Sequence, residues 1–289
     1  MMDQFKKLGD VSWEDADINR FSRLDRYWTN KSSVLRGKIH ERSTKVYVQK
    51  AVEQIGLTPA DMMKEYRLKG VEFGRWLNTP ERYDHFCSGM LALEDLANVM
   101  GTHNLGMDHH IGLAFGARGN GGRRPAAAHF EPLTFMINLT KENGASCFAH
   151  EYGHALDYFF GMYVDLNTLS PSLSGGREVG SSHYWGKRGK YRRMMLEILT
   201  HIMKTESYKR WHKSKSRNYY CNHTEMFARC FEQWVADELH KKGVVNRYLT
   251  VQAELYAKGS AYLSEDEKKT VWPEMKRLVK EMAKAANEK

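Results

Sequence analysis

The sequence lacks the long apolar runs that mark a membrane protein. None of its apolar runs approaches the roughly 18 residues of a membrane-spanning helix. The opening stretch, MMDQFKKLGDVSWEDADINR, contains no uninterrupted apolar core of the kind found in secretory signals. We therefore expect a cytoplasmic protein that has no membrane partner.

Cysteine is also scarce. The chain of 289 residues has four cysteines, Cys87, Cys147, Cys221 and Cys230, and they form no C-x-x-C pair. Scattered cysteines in a protein that is not exported are typical of free thiols in a reducing compartment. We therefore expect no disulfide framework.

Acidic residues are outnumbered by basic ones, with 35 Asp or Glu against 44 Lys or Arg, and the net charge is +9. A basic surface favours acidic partners, such as nucleic acid or an acidic protein surface. The excess is spread along the chain, and its densest run is GKRGKYRR at residues 186–193. A solvated basic face is the simpler explanation of this run, and nucleic-acid binding is the alternative.

The hydrophobic pattern predicts an α+β protein that is predominantly helical. Helical spacing dominates the first hundred residues, although RLKGVEFGRWLNTPERYDHF reads as a turn-rich connection. Three short runs of β-forming residues follow, IGLAFGARG, AAAHFEP and LTFMINLT, and they predict a small sheet. There is no internal repeat and no interdomain linker. We expect residues 1–59 to form a helical N-terminal extension and residues 60–289 to form one compact domain with C-terminal helices.

The clearest chemical signal lies in CFAHEYGHALDYFF, residues 147–160. His150 and His154 are four positions apart, so on a helix they project from one face, as two imidazoles must to bind one zinc ion. Glu151 is rotated by about 100° from His150, close enough to take a proton from water beside the metal without binding the metal. This is the H-E-x-x-H arrangement.

A buried helix with two hydrogen-bonded histidines is the alternative to a metal site. Gly153 argues against it, because a glycine inside a helix costs about 1 kcal/mol relative to alanine. Glycine at such a position is expected where another group must approach the helix closely. We therefore favour the metal site.

A catalytic zinc ion usually has three protein ligands, so one more ligand is needed. The best candidate is Glu225 in NHTEMFARCFEQW, at the start of an amphipathic helix far along the chain. Glu232, two turns further on, and His223, just before it, are rivals. A carboxylate at this position also complements the helix dipole without any metal.

Four further residues are candidates for supporting roles. Asp157 shares the helical face of the histidines, so its carboxylate can hold an imidazole N–H or anchor a partner helix. Arg229, one turn after Glu225, can pair with Asp157 or steady Glu225. Tyr219 and Tyr220 lie shortly before Glu225, and a phenol near the metal could stabilise an oxyanion. Simple packing explains either tyrosine equally well.

An ordered set of motifs resembles a known family. The motifs are RLKGVEFGRWLNTPER, GLAFGARGNGG, AAHFEP, INLTKENGASCFAHEYGHALD and EMFARCFE. Over roughly residues 60–235 they resemble the zincin-like domain of large polyvalent proteins of phages and mobile elements. The end of the set is also similar to the anthrax lethal factor protease. The sequence departs from the commoner family pattern by apolar changes around the first histidine, which put little in doubt.

The resemblance implies a zincin-like metallopeptidase fold, in which a small twisted sheet packs on the metal-bearing helix. It implies that His150, His154 and Glu225 bind Zn2+ and that Glu151 is catalytic. By analogy, AAAHFEP or GLAFGARG would be the edge strand that binds the substrate backbone.

Two functions follow from these observations. The first is a zinc-dependent peptidase that acts on a protein or peptide of unknown identity in the cytoplasm of a bacterial host, with packaging into virions left open. The second is a basic module that binds nucleic acid or protein and uses zinc only for structure. The presence of Glu151 favours the peptidase, because a structural site needs no base.

Overall fold

A computed structural model describes residues 58–75, 77, 79–118, 126–141, 143–165, 170–175, 189–251, 256 and 261–288. The predicted helical extension, residues 1–59, lies outside these residues apart from its last two positions. The predicted fold class is confirmed in outline, because the protein is α+β, mostly helical, and contains a small mixed sheet. In the described residues, no helix combines the length and the apolarity needed to span a membrane.

The helices and strands follow one another in a simple order. The helices are α1 Pro59–Glu65, α2 Thr79–Met100, α3 Phe148–Phe159, α4 Lys190–Met203, α5 Glu206–His212, α6 Arg217–Tyr220, α7 His223–Lys241 and α8 Glu265–Asn287. The strands are β1 Val71–Phe73, β2 Gly112–Phe115, β3 Ala128–Glu131 and β4 Met136–Leu139.

The sheet has the order β1-β2-β4-β3. β1, β2 and β4 are parallel, whereas β3 runs antiparallel to β4 at one edge. The three strands predicted from the sequence are therefore confirmed as β2, β3 and β4. Of the two predicted edge strands, AAAHFEP forms β3 at the edge, whereas GLAFGARG forms β2 in the interior. β1 was not predicted, because three residues are too few for an alternating pattern to appear.

Helix α3 begins against a neighbouring loop. Its N-terminal turn has no side-chain cap. Instead, the N–H groups of Ser146 and Ala149 donate to the carbonyl oxygens of Tyr248 and Leu249, which supplies acceptors that the start of a helix otherwise lacks. This loop follows α7, so the start of α3 is fixed by the same part of the chain that packs along its side.

Helix α3 does not stop at Gly161, as the sequence pattern predicts, but continues as a π-helical turn over Phe160–Val164. Gly161 serves close packing instead of termination. A Cβ atom at Gly161 would lie 2.4 Å from the carbonyl oxygen of Pro171 and 2.8 Å from the backbone nitrogen of Leu173. The glycine therefore allows the segment at residues 170–175 to lie directly on the end of the helix.

Helix α3 lies between the sheet and α7, and its largest contact is with α7. A Cβ atom at Gly153 would lie 3.1 Å from the Cα atom of Ala228 and 3.2 Å from Cδ1 of Phe231. The group that approaches this glycine is therefore the backbone of α7. The small residues at positions 153 and 228 let the two helices pack closely, within one apolar core that runs from Met62 to Ala286.

The contact at Gly153 predicts an overpacked variant. We expect Gly153→Val to lower the free energy of unfolding by about 2 kcal/mol or more, because the added methyl groups must displace α7. Chemical denaturation would measure the change. Lys280→Val, on the exposed face of α8, is the control for β-branching in a helix and should cost less than about 0.7 kcal/mol. Equal losses in the two variants would contradict the close packing.

Candidate functional site

The packing of α3 on α7 brings three predicted ligands together. His150 and His154 lie on α3, and Glu225 lies in the first turn of α7. Nε2 of His150 is 3.5 Å from Oε2 of Glu225, and Nε2 of His154 is 3.5 Å from Oε1 of the same carboxylate. In the described residues, these three form the group of His, Cys, Asp and Glu side chains that could hold a metal ion, with ligand atoms within 4.8 Å of one another.

The spacing of these atoms fits a tetrahedral metal ion. Two ligand atoms that are each about 2.1 Å from a zinc ion in tetrahedral geometry lie about 3.4 Å apart. The two nitrogen-to-oxygen separations of 3.5 Å are close to that value. In addition, Oε2 of Glu225 is buried and has no hydrogen-bond partner among the described residues. Two imidazoles and a carboxylate are also a usual ligand set of catalytic zinc.

The electrostatics of the cluster favour a positive charge. Burial alone would lower the pKa of His150, but the neighbouring carboxylates of Glu225 and Glu232 outweigh it and raise the pKa to about 10. Burial alone would raise the pKa of Glu225, but His150 and His154 outweigh it and hold this pKa well below its ordinary value. In the absence of a metal, a proton on His150 supplies the positive charge that the carboxylates require.

Glu232 supports His150 from the far side of the ring. Its Oε2 is 3.2 Å from Nδ1 of His150, opposite the nitrogen that faces Glu225. The hydroxyl of Tyr256 donates to Oε1 of Glu232 at 2.6 Å, and that of Tyr262 donates to Oε2 at 3.4 Å. A buried carboxylate held in this way fixes the orientation and tautomer of a ligand histidine.

The two alternative candidates for the third ligand, Glu232 and His223, lie outside the ligand cluster. Glu232 contacts the outer nitrogen of His150, so it acts as a support for that ring and not as a third ligand. His223 is buried at the start of α7, and burial lowers its pKa despite a hydrogen bond with the backbone of Ser174. From the sequence, Glu232 was predicted only as an alternative metal ligand and not as a support for a histidine. Its position two helical turns after Glu225 was the available signal that both carboxylates face α3.

Glu151 lies beside the cluster and under the edge strand. Burial raises the pKa of Glu151, and the neighbouring carboxylate of Glu225 adds to this effect, whereas His150, His154 and the N–H of Phe130 oppose it. Phe130 belongs to β3. The candidate base is therefore close to the backbone of the strand at the edge of the sheet.

The outer edge of β3 carries backbone groups that face away from β4. The N–H of Thr140 donates to the carbonyl of Ala127, and in an antiparallel pair such hydrogen-bonded positions alternate with positions that point outward. Ala128 and Phe130 are therefore the outward positions of β3.

Asp157 has a different role from the predicted one. Its two carboxylate oxygens accept hydrogen bonds from the backbone N–H and the hydroxyl of Ser174, at 2.8 and 2.7 Å. Burial raises its pKa to about 6, although these hydrogen bonds oppose the shift. Asp157 therefore anchors the segment at residues 170–175 and not an imidazole or a partner helix.

That segment lies within residues 162–186, a stretch rich in Gly and Ser whose composition predicts a long loop. Arg192 also holds it, because its guanidinium donates to the carbonyl oxygens of Ser170 and Ser172. Residues 170–175 are thus packed into the protein and not open as a lid would be. Residues 166–169 and 176–186 of the predicted loop lie outside the described residues.

Arg229 takes one of its two predicted partners, because it contacts Glu225 and not Asp157. Its guanidinium donates to the carbonyl oxygens of Glu225, Tyr220 and Ala261, so the proposed pairing with Asp157 is wrong. The contact with Glu225 is with its backbone and not with its carboxylate. The Cζ atom of Arg229 lies 4.5 Å from the centroid of the Trp211 ring. Arg229 therefore joins α7, α6 and the residues before α8 beside the cluster.

The two tyrosines occupy different environments. Tyr219 is half exposed, and burial, followed by the neighbouring Glu225 carboxylate, raises its pKa above the ordinary value. Its phenol therefore lies at the mouth of the cluster. Tyr220 packs against the core and against the Arg229 guanidinium, which lies 5.2 Å from its ring centroid. Of the two candidates, the structure brings Tyr219 to the site and assigns Tyr220 to packing.

Fold and site together define an α+β protein in which two packed helices carry a His-His-Glu cluster with a buried glutamate beside it. Among the described strands, β3 is unpaired at its outer edge. Residues 211–286 match the family described as large polyvalent protein-associated domain 1, which confirms the resemblance to a domain of large polyvalent proteins. Of the motifs that carry the resemblance, the matched segment contains EMFARCFE. The match includes Glu225, Arg229 and Glu232 but not the two histidines. Comparison with curated proteins and with solved structures found no match.

The contacts of Arg229 predict a loss of stability on substitution. Arg229 is 3% exposed, and a lysine cannot reach three carbonyl oxygens at once. We expect Arg229→Lys to lower the free energy of unfolding by about 2–4 kcal/mol, measured by urea denaturation. Arg277→Lys on α8, where the arginine forms an exposed ion pair with Glu274, should change it by less than about 1 kcal/mol. A stable Arg229→Lys variant would show that the three carbonyl contacts contribute little.

Proposed function

We propose that this protein is a zinc-dependent peptidase with a zincin-like fold. The observation that carries the proposal is the convergence of His150, His154 and Glu225 at zinc-ligand spacing, with Glu151 buried directly beside them. A site that served structure alone would need a fourth protein ligand and no base. Three ligand residues and an adjacent carboxylate are the arrangement used for hydrolysis.

The residues of the site divide the chemistry among them. When bound by His150, His154 and Glu225, zinc would polarise a carbonyl group and lower the pKa of a water molecule. Glu151 takes a proton from the attacking water as the water oxygen bonds to the carbonyl carbon. Glu151 then gives that proton to the amide nitrogen as the C–N bond breaks. Tyr219 is in position to donate a hydrogen bond to the oxyanion.

The open edge of β3 supports a peptide as the substrate. An extended peptide can add to this edge by hydrogen bonding with the outward backbone groups of Ala128 and Phe130. Glu151 lies close to the backbone of Phe130, so a peptide on this edge would pass beside the candidate base. The match to a domain of large polyvalent proteins supports a role in phages or mobile elements, and the cytoplasmic location in a bacterial host stays a prediction.

The ligand set predicts that the protein binds one zinc ion per chain. We expect Glu225→Gln to weaken zinc binding strongly, and Glu232→Gln to weaken it by about 10–100-fold because His150 loses its supporting carboxylate. Competition with a chromogenic chelator would measure both affinities. Glu238→Gln, whose carboxylate pairs with Lys241 on the same helix, should bind zinc like the wild type. Unchanged affinity in Glu225→Gln would remove Glu225 from the ligand set.

The role of Glu151 predicts a variant that binds zinc but does not cleave. We expect Glu151→Gln to retain zinc and to lose cleavage by about a thousandfold, because the amide cannot accept the proton. Wild type and variant would each be incubated with a bacterial lysate, and new N-terminal peptides would be identified by mass spectrometry. If Glu151→Gln loses zinc as well as activity, a second variant, Glu151→Asp, tests the role of the base. This variant keeps the carboxylate and should retain partial activity.

Two outcomes would count against the proposed mechanism. Cleavage by Glu151→Gln at the wild-type rate would rule out Glu151 as the base. If the zinc-loaded wild type cleaves no protein in the lysate but shifts nucleic acid in a salt-dependent way, the protein is a basic binding module with a structural metal.

A further inference from the structure

An exposed basic segment follows α4. Residues 204–217 contain six Lys or Arg and one Glu, which gives a net charge of +5 against +9 for the whole chain. The run GKRGKYRR also carries a net charge of +5, but Arg192 in that run is buried. All six basic side chains are exposed; they are Lys204, Lys209, Arg210, Lys213, Lys215 and Arg217.

Most of these charges face solvent without an acidic partner. Lys209 pairs with Glu206 at 2.6 Å. In the described part of the chain, no carboxylate forms an ion pair with the remaining lysines of the segment or with Arg217. Basic residues elsewhere are often paired, as Lys268 is with Asp237. The segment therefore offers its positive charge to a partner molecule.

The segment is held rigidly in spite of its charge. Trp211 lies in its middle and is 1% exposed, so the segment is anchored in the core. The Arg229 guanidinium covers the Trp211 ring and also donates to the carbonyl of Tyr220, at the end of α6. The basic side chains are therefore displayed on α5, α6 and the turn between them, which are fixed against α7. Charges held in this way bind at a smaller entropic cost than charges on a free chain.

The basic segment leads directly into the candidate site. Arg217 begins α6, and Tyr219 lies two residues later on the same short helix. The Arg229 guanidinium lies 6.0 Å from the centroid of the Tyr219 ring and also donates to the backbone carbonyl of Glu225. The basic segment therefore adjoins the candidate site at Tyr219.

We propose that residues 204–217 bind an acidic segment of the substrate protein, on one side of the bond that is cleaved. The proposal rests on the proposed function and adds the substrate class, a protein with several Asp or Glu residues near the cleavage point. Charge complementarity of this kind increases the rate of association and selects the partner. A peptide is favoured over nucleic acid because the basic surface is continuous with Tyr219 and the site proposed to receive a peptide.

The test measures binding without cleavage, so it does not depend on the peptidase activity. The protein is zinc-loaded Glu151→Gln, and the probe is a short fluorescent peptide of alternating Glu and Gly. A Gln-Gly peptide and a single-stranded oligonucleotide of equal length are compared with it by fluorescence anisotropy. One variant replaces Lys204, Lys213, Lys215 and Arg217 by Gln. The control variant replaces four exposed lysines of α8 by Gln, namely Lys269, Lys276, Lys280 and Lys284, and has the same net charge.

We expect the acidic peptide to bind in a salt-dependent way and the Gln-Gly peptide to bind much more weakly. The variant in residues 204–217 should bind the acidic peptide at least about tenfold more weakly than its parent, whereas the α8 variant should stay close to the parent. Circular dichroism would establish that both variants are folded. Loss of affinity without loss of folding supports the basic surface as the binding site.

Three results would overturn the proposal. The first is that the acidic peptide does not bind. The second is that the two variants lose affinity equally, which would assign the effect to net charge alone. Tighter binding of the oligonucleotide, lost in the variant of residues 204–217, would make this surface a nucleic-acid site instead. Failure of the peptidase proposal is recognised separately, by the absence of cleavage in the lysate.

Discussion

The close contact between Gly153 and Ala228 is the constraint on which the candidate site depends. His150 and Glu225 each lie three residues before this contact, one on either helix, so a helical turn brings both to the same place. Glu232 lies four residues after Ala228 and is again one turn away on the same face. The crossing of the two helices therefore places His150 between two carboxylates. Its Nε2 is 3.5 Å from Glu225 and its Nδ1 is 3.2 Å from Glu232. A larger residue at position 153 would separate all of these pairs together.

This arrangement concentrates unlike charges in a buried region, and that has consequences for stability. Two carboxylates beside His150 are stabilised by a positive charge between the helices, and removal of that charge leaves buried anions without compensation. A cation bound by His150, His154 and Glu225 would therefore contribute to folding as well as to chemistry. Glu232 has two tyrosine hydroxyls as additional donors, so it remains an oriented acceptor for His150.

Local spacing explains which parts of the site could be predicted from the sequence. The two histidines and Glu151 share one helix, where spacing alone determines which side chains are neighbours, and the three longer strand patterns were also readable. Asp157 was assigned to the metal site because it shares the helical face, but tertiary packing placed Ser174 against it. The role of Arg229 depends on three carbonyl groups from separate parts of the chain, and no periodicity records such contacts. The tyrosine partners of Glu232 were missed for the same reason, whereas β1 was missed because it has only three residues.

The segment matched to the family has a consistent physical role. Residues 211–286 contain Trp211, Glu225, Arg229 and Glu232, together with both tyrosines that hold Glu232. The segment thus provides the carboxylates, their supports and the anchored start of the basic surface, whereas α3 provides the imidazoles and Glu151. Arg229 connects these parts, because it covers Trp211 and binds the backbone of Glu225. A change in the position of Arg229 would therefore move the basic surface and Glu225 together.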